Sequence, residues 1–145
     1  MLKTKLLHPD ILRVLGSSGH FSRILIADGN FPVQSLAGPN ATKVFLNLTA
    51  GIPKATEVLA VLADMIPIQA ATRMEIPNGE QAPIIEEYRQ LLPQNLVIDH
   101  LERYAFYDAV SSPLTTLIIA TGETRRFANL LLTIGVVKLE QSECY

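Results

Sequence analysis

The sequence has 145 residues and a formal net charge of −2, and 48% of its residues are hydrophobic while only 18% are charged. This length suits one domain, spanning residues 1–145, that buries a core without disulfides or metals. The acidic balance argues against nucleic acid as a partner, and no apolar run approaches the roughly 18 residues of a membrane span. The apolar composition favours surface buried between subunits, so we expect a homo-oligomer.

Cysteine and histidine usage narrows the chemistry further. Cys144 is the only cysteine, so neither an internal disulfide nor a cysteine-based zinc site is expected. The three histidines lack metal-ligand spacing. The first residues show no apolar segment of the kind that signal peptides carry, and we therefore expect a cytoplasmic protein.

Helices and short apolar strands alternate along the chain. A first helix is predicted to begin at Pro9 and to end at the glycines that follow Leu15. Proline is common in the first turn of a helix, and glycine commonly ends one. Further helices are predicted over 51–64, 82–92 and 103–110 from their helical spacing of apolar residues. Strands are predicted over 24–27, 43–46, 68–74, 97–101, 114–120 and 130–133, with a long loop over 29–42 and a frayed tail after residue 138.

This alternation predicts an α/β protein. Short, β-branched strands bounded by turn residues are typical of a sheet that is buried on both faces. We therefore expect an α/β/α sandwich with a mixed, mostly parallel sheet that is covered by helices on both faces.

The strand over 24–27 is flanked by two groups that can move protons. A glycine-led turn presents His20 before the strand, and Asp28 follows it in an Asp-Gly-Asn turn. Histidine and a carboxylate are suitable general acid/base groups. Since a strand rises about 3.3 Å per residue, the two share a site only if the His20 turn folds back or if they meet across a subunit boundary.

Three blocks, in the same order, resemble the sequence motifs of the small sugar mutarotases, the family of fucose mutarotase and D-ribose pyranase. These blocks are Gly19-His20 with Ala27-Asp28-Gly29-Asn30-Phe31-Pro32, then Glu102-Arg103-Tyr104-Ala105-Phe106-Tyr107, then Thr121-Gly122-Glu123 with Phe127-Ala128-Asn129. The resemblance implies an isomerase that interconverts the anomers of a free monosaccharide without a metal or organic cofactor. It also implies a ring-shaped homo-oligomer, often a decamer, whose sites are completed by a neighbouring subunit.

By the same resemblance, His20 corresponds to the proton donor. Asp28 is the second predicted catalytic group because of its carboxylate and its place after the strand. The substrate-binding positions it implies are Asp28, Arg103, Phe127, Ala128 and Asn129. Arg103 favours the fucose branch, so an L-fucose-type mutarotase is the main interpretation. D-ribose pyranase and a catalytically weak sugar-binding module linked to sugar transport stay as alternatives. The second arises because Phe127 replaces the family's usual tyrosine and has no hydroxyl to offer a sugar.

Overall fold

The computed structural model describes residues 1–138, which form helices and strands in alternation. The helices are α1 (Pro9–Ser17), α2 (Val33–Leu36), α3 (Ala55–Ala63), α4 (Ile84–Leu91) and α5 (Arg103–Val110). The strands are β1 (Arg23–Ala27), β2 (Thr42–Phe45), β3 (Ile68–Met74), β4 (Ile98–Leu101), β5 (Thr115–Ala120) and β6 (Leu130–Ile134). None of the helices in this part of the chain is long and apolar enough to cross a membrane.

The six strands form one mixed sheet in the order β2-β5-β1-β6-β3-β4. Only β6 runs against its neighbours, pairing antiparallel with both β1 and β3, whereas the other adjacent pairs are parallel. Ile26 of β1 therefore lies opposite Leu130, the first residue of β6. This arrangement brings the carboxyl end of β1 and the segment that enters β6 to the same edge of the sheet.

Helices cover both faces of this sheet, because the central strands are apolar on both sides. In β1, Ile24 and Ile26 pack with α1, α3 and α4, while Leu25 and Ala27 pack with α2 and α5. All four side chains are fully buried. Burial of each large aliphatic side chain stabilises the fold by about 1.5–3 kcal/mol. The predicted α/β class, with a mixed, mostly parallel sheet between two helical layers, is confirmed.

Most predicted elements lie within a few residues of the observed ones, with two differences. The loop predicted over 29–42 contains the short helix α2, which spans only four residues and so shows no readable apolar period. The helix predicted from Gly51 begins instead at Ala55, after a turn in which Gly51 has a φ of +83°. The Glu57 carboxylate accepts the Lys54 N–H at 2.8 Å and so fixes this start. The predicted frayed tail lies outside the described residues.

Gly122 lies where the loop before α3 crosses the turn that follows β5. A Cβ at this position would lie 2.3 Å from the Thr49 carbonyl oxygen and 2.5 Å from that of Ile52. We expect Gly122→Ala to lower the free energy of unfolding by about 2 kcal/mol or more, because backbone must move to admit the methyl group. Urea unfolding at a fixed protein concentration measures this.

Gly16 provides a control of opposite sign. It lies in α1, and an added Cβ meets no atom within 4 Å. Gly16→Ala should therefore raise the free energy of unfolding by about 0.5–1 kcal/mol, because alanine loses less backbone entropy in a helix. Equal stability of the two variants would contradict the packing described for Gly122.

Candidate active site

Asp28 lies at the carboxyl end of β1, where the strand opens into a tight turn. The Asn30 N–H donates to its Oδ1 at 3.0 Å, and the Phe31 N–H donates to its backbone carbonyl at 3.3 Å. This is the local geometry that Asp-Gly-Asn sequences favour. The residue is only 6% exposed, so its carboxylate is largely withdrawn from water while it borders a pocket.

Asn129, the residue just before β6, fixes the Asp28 carboxylate. Its Oδ1 accepts the Asp28 N–H at 2.8 Å, and its Nδ2 donates to Asp28 Oδ2 at 3.0 Å. The backbone donor dictates which end of the amide faces it, so the amide orientation follows from the network. One side chain thus satisfies two polar groups that would otherwise be buried without partners.

Burial raises the pKa of the Asp28 carboxyl above its ordinary value, because the charged form loses its hydration. Hydrogen bonds from the backbone of Asn30 and Phe31 and from the Asn129 side chain oppose this rise, and the negative charge of Glu123 adds to it. A carboxyl group whose pKa moves toward neutrality exchanges protons more effectively in general acid/base chemistry.

The pocket beside Asp28 has a volume of about 170 Å³, below the range usual for drug-sized ligands. Its walls come from the ends of β1 and β3, from α5 and from the segment before β6. The lining residues are Asp28, Asn30, Phe31, Pro32, Met74, Arg103, Tyr107, Arg126, Phe127 and Asn129. Four of the predicted site residues are therefore brought together, namely Asp28, Arg103, Phe127 and Asn129.

Arg103 and Tyr107 reach this pocket from one face of α5. They are separated by four residues, so their side chains are neighbours on the helix surface. Arg103 makes no ion pair with any carboxylate of residues 1–138. The Tyr107 ring contacts Phe31 edge to face, with centroids 5.7 Å apart. Tyr107 was not predicted as a site residue. Its spacing of four residues from Arg103 on a predicted helix could have indicated that the two side chains share one face.

Phe127 and Ala128 differ in how they relate to the pocket. Phe127 lines it, with a φ of +60° and an exposed fraction of 8%. Ala128 does not line it, because its side chain is fully buried in the core shared with α1, α3 and α4. The Ala128 carbonyl accepts a hydrogen bond from the hydroxyl of Tyr88 at 2.5 Å. Any contribution of Ala128 to binding therefore comes through the backbone that carries its two neighbours.

His20 lies at the other end of β1 and does not line the Asp28 pocket. The five residues of β1 separate the two side chains by roughly 15 Å or more. The exposed His20 ring stacks on Phe21 at 3.7 Å, and its Nε2 lies 2.9 Å from the Gln69 Oε1. Phe21 has a φ of +70°, which is uncommon for a bulky residue, so this turn holds two aromatic rings outward. Within one chain, the two predicted catalytic groups do not meet.

The turn after β5 buttresses the Asp28 turn. The Glu123 carbonyl accepts the Gly29 N–H at 2.8 Å, while the Glu123 carboxylate accepts two hydrogen bonds from the Arg125 guanidinium, at 2.9 and 3.0 Å. Arg125 in turn contacts Glu87 of α4 at 2.8 Å. Burial alone would raise the pKa of Glu123, but the hydrogen bonds from Arg125 hold this pKa below its ordinary value. Glu123 is thus a structural anchor.

Taken together, the fold and the pocket define a small-molecule-binding α/β protein. A carboxylate, an amide and guanidinium groups converge at the carboxyl edge of a sheet, where open α/β folds place their ligands.

The chain belongs to the RbsD/FucU family, because the model described as the RbsD / FucU transport protein family matches residues 1–137. It is 36% identical over 142 residues to the D-ribose pyranase of Shouchella clausii, covering 94% of this chain and 99% of the relative. It is 30% identical over 149 residues to the fucose mutarotase of Danio rerio, covering 93% and 92%. The crystal structure of the Streptococcus pneumoniae fucose mutarotase with L-fucose superposes with a TM-score of 0.78, at 29% identity, over 94% of this chain and 100% of that one. The family resemblance predicted from the three sequence blocks is confirmed.

Because the pKa of Asp28 is raised in the folded state, the free energy of unfolding should depend on pH through this group. A carboxyl with a higher pKa in the folded state gives stability that is present below the unfolded pKa and lost as pH rises through the folded pKa. Wild-type protein should therefore gain stability relative to Asp28→Asn when the pH falls from about 7 to about 4. Urea unfolding of both proteins across this range provides the measurement. Asp99→Asn, at an exposed position of β4, is the matched control, and a difference independent of pH would contradict the burial argument.

Proposed function

We propose that this protein is a carbohydrate mutarotase, a single-domain isomerase that interconverts the anomers of a free monosaccharide. The observation that carries this proposal is the buried Asp28 carboxylate, held by Asn129 in a small pocket that Arg103 also lines. Such a pocket offers both acceptors and donors to a polyhydroxylated ligand. The names of the relatives, fucose mutarotase and D-ribose pyranase, support the same reaction class.

Anomer exchange needs proton transfers together with the cleavage and re-formation of one C–O bond of the sugar ring. The anomeric hydroxyl loses a proton, the ring oxygen gains one, and the bond between the anomeric carbon and the ring oxygen breaks to give the open-chain aldehyde. Reclosure on the other face gives the second anomer. In our proposal Asp28 exchanges a proton with one sugar oxygen and His20 acts on the other, while Arg103, Asn129 and the Phe127–Ala128 backbone hold the sugar.

This mechanism requires a second subunit, because His20 and the Asp28 pocket lie at opposite ends of β1. Apolar side chains surround the His20 turn and remain accessible: Phe21 is 55% exposed, Leu114 46% and Val136 54%. Leu114 and the end of β6 are joined to this turn by backbone hydrogen bonds. We propose that this apolar end packs against the pocket of a neighbouring copy in a ring-like homo-oligomer, with a decamer as the family expectation, in the cytoplasm.

The substrate proposed first is an L-fucose-type sugar, because Arg103 matches the fucose branch. D-ribose is the alternative, and relatives of both names share about a third of their residues with this chain. One observation favours a second function, a sugar-binding module without catalysis. Phe127 lines the pocket and has no hydroxyl, so it offers a sugar oxygen no hydrogen bond.

Saturation-transfer NMR on L-fucose, D-ribose and D-galactose tests the catalytic proposal. We expect faster exchange between the anomers of at least one sugar, and a loss of about 10²-fold or more for His20→Ala, the usual range for one acid/base group. His100→Ala, at an exposed position of β4, is the matched control. If anomer exchange is not faster for any sugar, the proposed mutarotase activity is contradicted. Saturable sugar binding without faster exchange favours the sugar-binding module.

Subunit complementation tests whether two chains form each site. His20→Ala and Asp28→Asn should each be impaired when refolded alone. If each site takes His20 from one chain and Asp28 from another, random co-refolding restores about a quarter of the sites, since one arrangement in four has both groups intact. The exchange rate of the mixture reports this. An exchange rate no higher than that of the separate variants would contradict a site shared between two subunits.

A further inference from the structure

Arg126 borders the Asp28 pocket and was not identified from the sequence. Its guanidinium carbon lies 5.0 Å from the centroid of the Phe127 ring, within the range of a cation–π contact. Both residues line the pocket. Phe127 therefore contributes a flat surface that holds a guanidinium beside the pocket, although it has no hydroxyl of its own.

The charges that line the pocket do not balance. Among residues 1–138, Arg103 and Arg126 contribute two positive charges to the lining, whereas Asp28 is its only carboxylate. Asp28 accepts hydrogen bonds from Asn30 and Asn129, and among residues 1–138 it forms no ion pair with either arginine. Arg103 makes no ion pair with a carboxylate of the described chain, and the neighbouring Glu102 uses its carboxylate to cap α5.

Within residues 1–138, the one ion-pair partner of Arg126 is weakly placed to neutralise its charge. The Nη1 of Arg126 lies 2.9 Å from the Glu80 Oε2, and the two side chains are 69% and 36% exposed. Exposed ion pairs contribute little to stability, because water screens them. A guanidinium carries five N–H donors, and among residues 1–138 Glu80 is the only residue with which the Arg126 guanidinium forms an ion pair. Its remaining donors are free to meet a ligand.

We propose that Arg126, together with Arg103, recognises a negatively charged substituent on the monosaccharide, a carboxylate or a phosphate. The protein then prefers an acidic sugar to the neutral sugar of the same configuration. Guanidinium groups bind both anions through paired, charge-assisted hydrogen bonds. The inference rests on the proposed function for its ligand class, and it adds Arg126 as a residue that determines specificity.

Sugars that differ only at one carbon provide the test. D-galacturonate and D-galactose form one matched pair, D-glucuronate and D-glucose a second, and D-galactose 6-phosphate distinguishes phosphate from carboxylate. Dissociation constants come from NMR titration and kcat/KM from anomer exchange. We expect at least one anionic sugar to bind about tenfold more tightly than its neutral counterpart, and this preference should shrink at high salt.

Three variants separate recognition from a structural role. Arg126→Gln should reduce the ratio of anionic to neutral affinity about tenfold. Glu80→Gln removes the competing carboxylate and should increase the same ratio, whereas a purely structural ion pair would make both variants change it alike. Arg89→Gln, whose arginine pairs with Glu86 on the surface of α4, is the control for loss of one positive charge.

The outcomes decide the inference independently of catalysis. It is overturned if none of the three anionic sugars is preferred to its neutral counterpart, or if Arg126→Gln leaves the affinity ratio unchanged. It is upheld if the ratio falls for Arg126→Gln and rises for Glu80→Gln, and the preferred anion then identifies the substituent. Failure of the proposed function has a different signature, which is the absence of faster anomer exchange for every sugar while the affinity ratios still report on Arg126.

Discussion

The paired hydrogen bonds between Asp28 and Asn129 are the constraint on which the pocket depends. A buried carboxylate is costly unless polar groups satisfy it, and the Asn129 amide does so while also accepting the Asp28 N–H. This pairing is possible because β6 runs antiparallel to β1, so that the residue before Leu130 meets the residue after Ala27. In an all-parallel sheet the two residues would lie at opposite edges, and the carboxylate would lose its hydrogen bond from Asn129.

The turn that follows β5 also stabilises the pocket, because it forms hydrogen bonds with the backbone on both sides of Asp28. The Thr121 hydroxyl donates to the Ala27 carbonyl at 2.7 Å, and the Gly29 N–H donates to the Glu123 carbonyl at 2.8 Å. The Glu123 carboxylate is held by Arg125, which ties the turn to α4. Three chain segments thus determine the position of Asp28. Such rigid support is what a site needs when it must place proton-transfer groups within a fraction of an ångström.

Much of the fold could be predicted because the central strands are apolar on both faces and end in clear turn residues. The short helix Val33–Leu36 could not, since four residues are too few to show a period. Asp28 and Asn129 were identifiable from their motifs, although their contact depends on the direction of β6, which no local pattern reveals. The separation of His20 from Asp28 was foreseeable from strand length alone. Arg126 could not be identified from the sequence. Its role is inferred from its contact with the Phe127 ring and its position beside the Asp28 pocket, and both are properties of the folded chain.

The placement of His20 and Asp28 links activity to assembly under the proposed mechanism. Each chain carries an imidazole at one end of β1 and a carboxylate at the other, so one protomer alone has half of two sites rather than one complete site. The exposed aromatic turn around Phe21 gives this division a physical basis, because the apolar surface that we propose to drive association is the surface that bears the imidazole. Packing of the turn against a neighbour would also withdraw the pocket from water, and exclusion of water strengthens each hydrogen bond to the sugar. Association and catalysis would then share one set of contacts, so a substitution at the apolar turn would weaken both together.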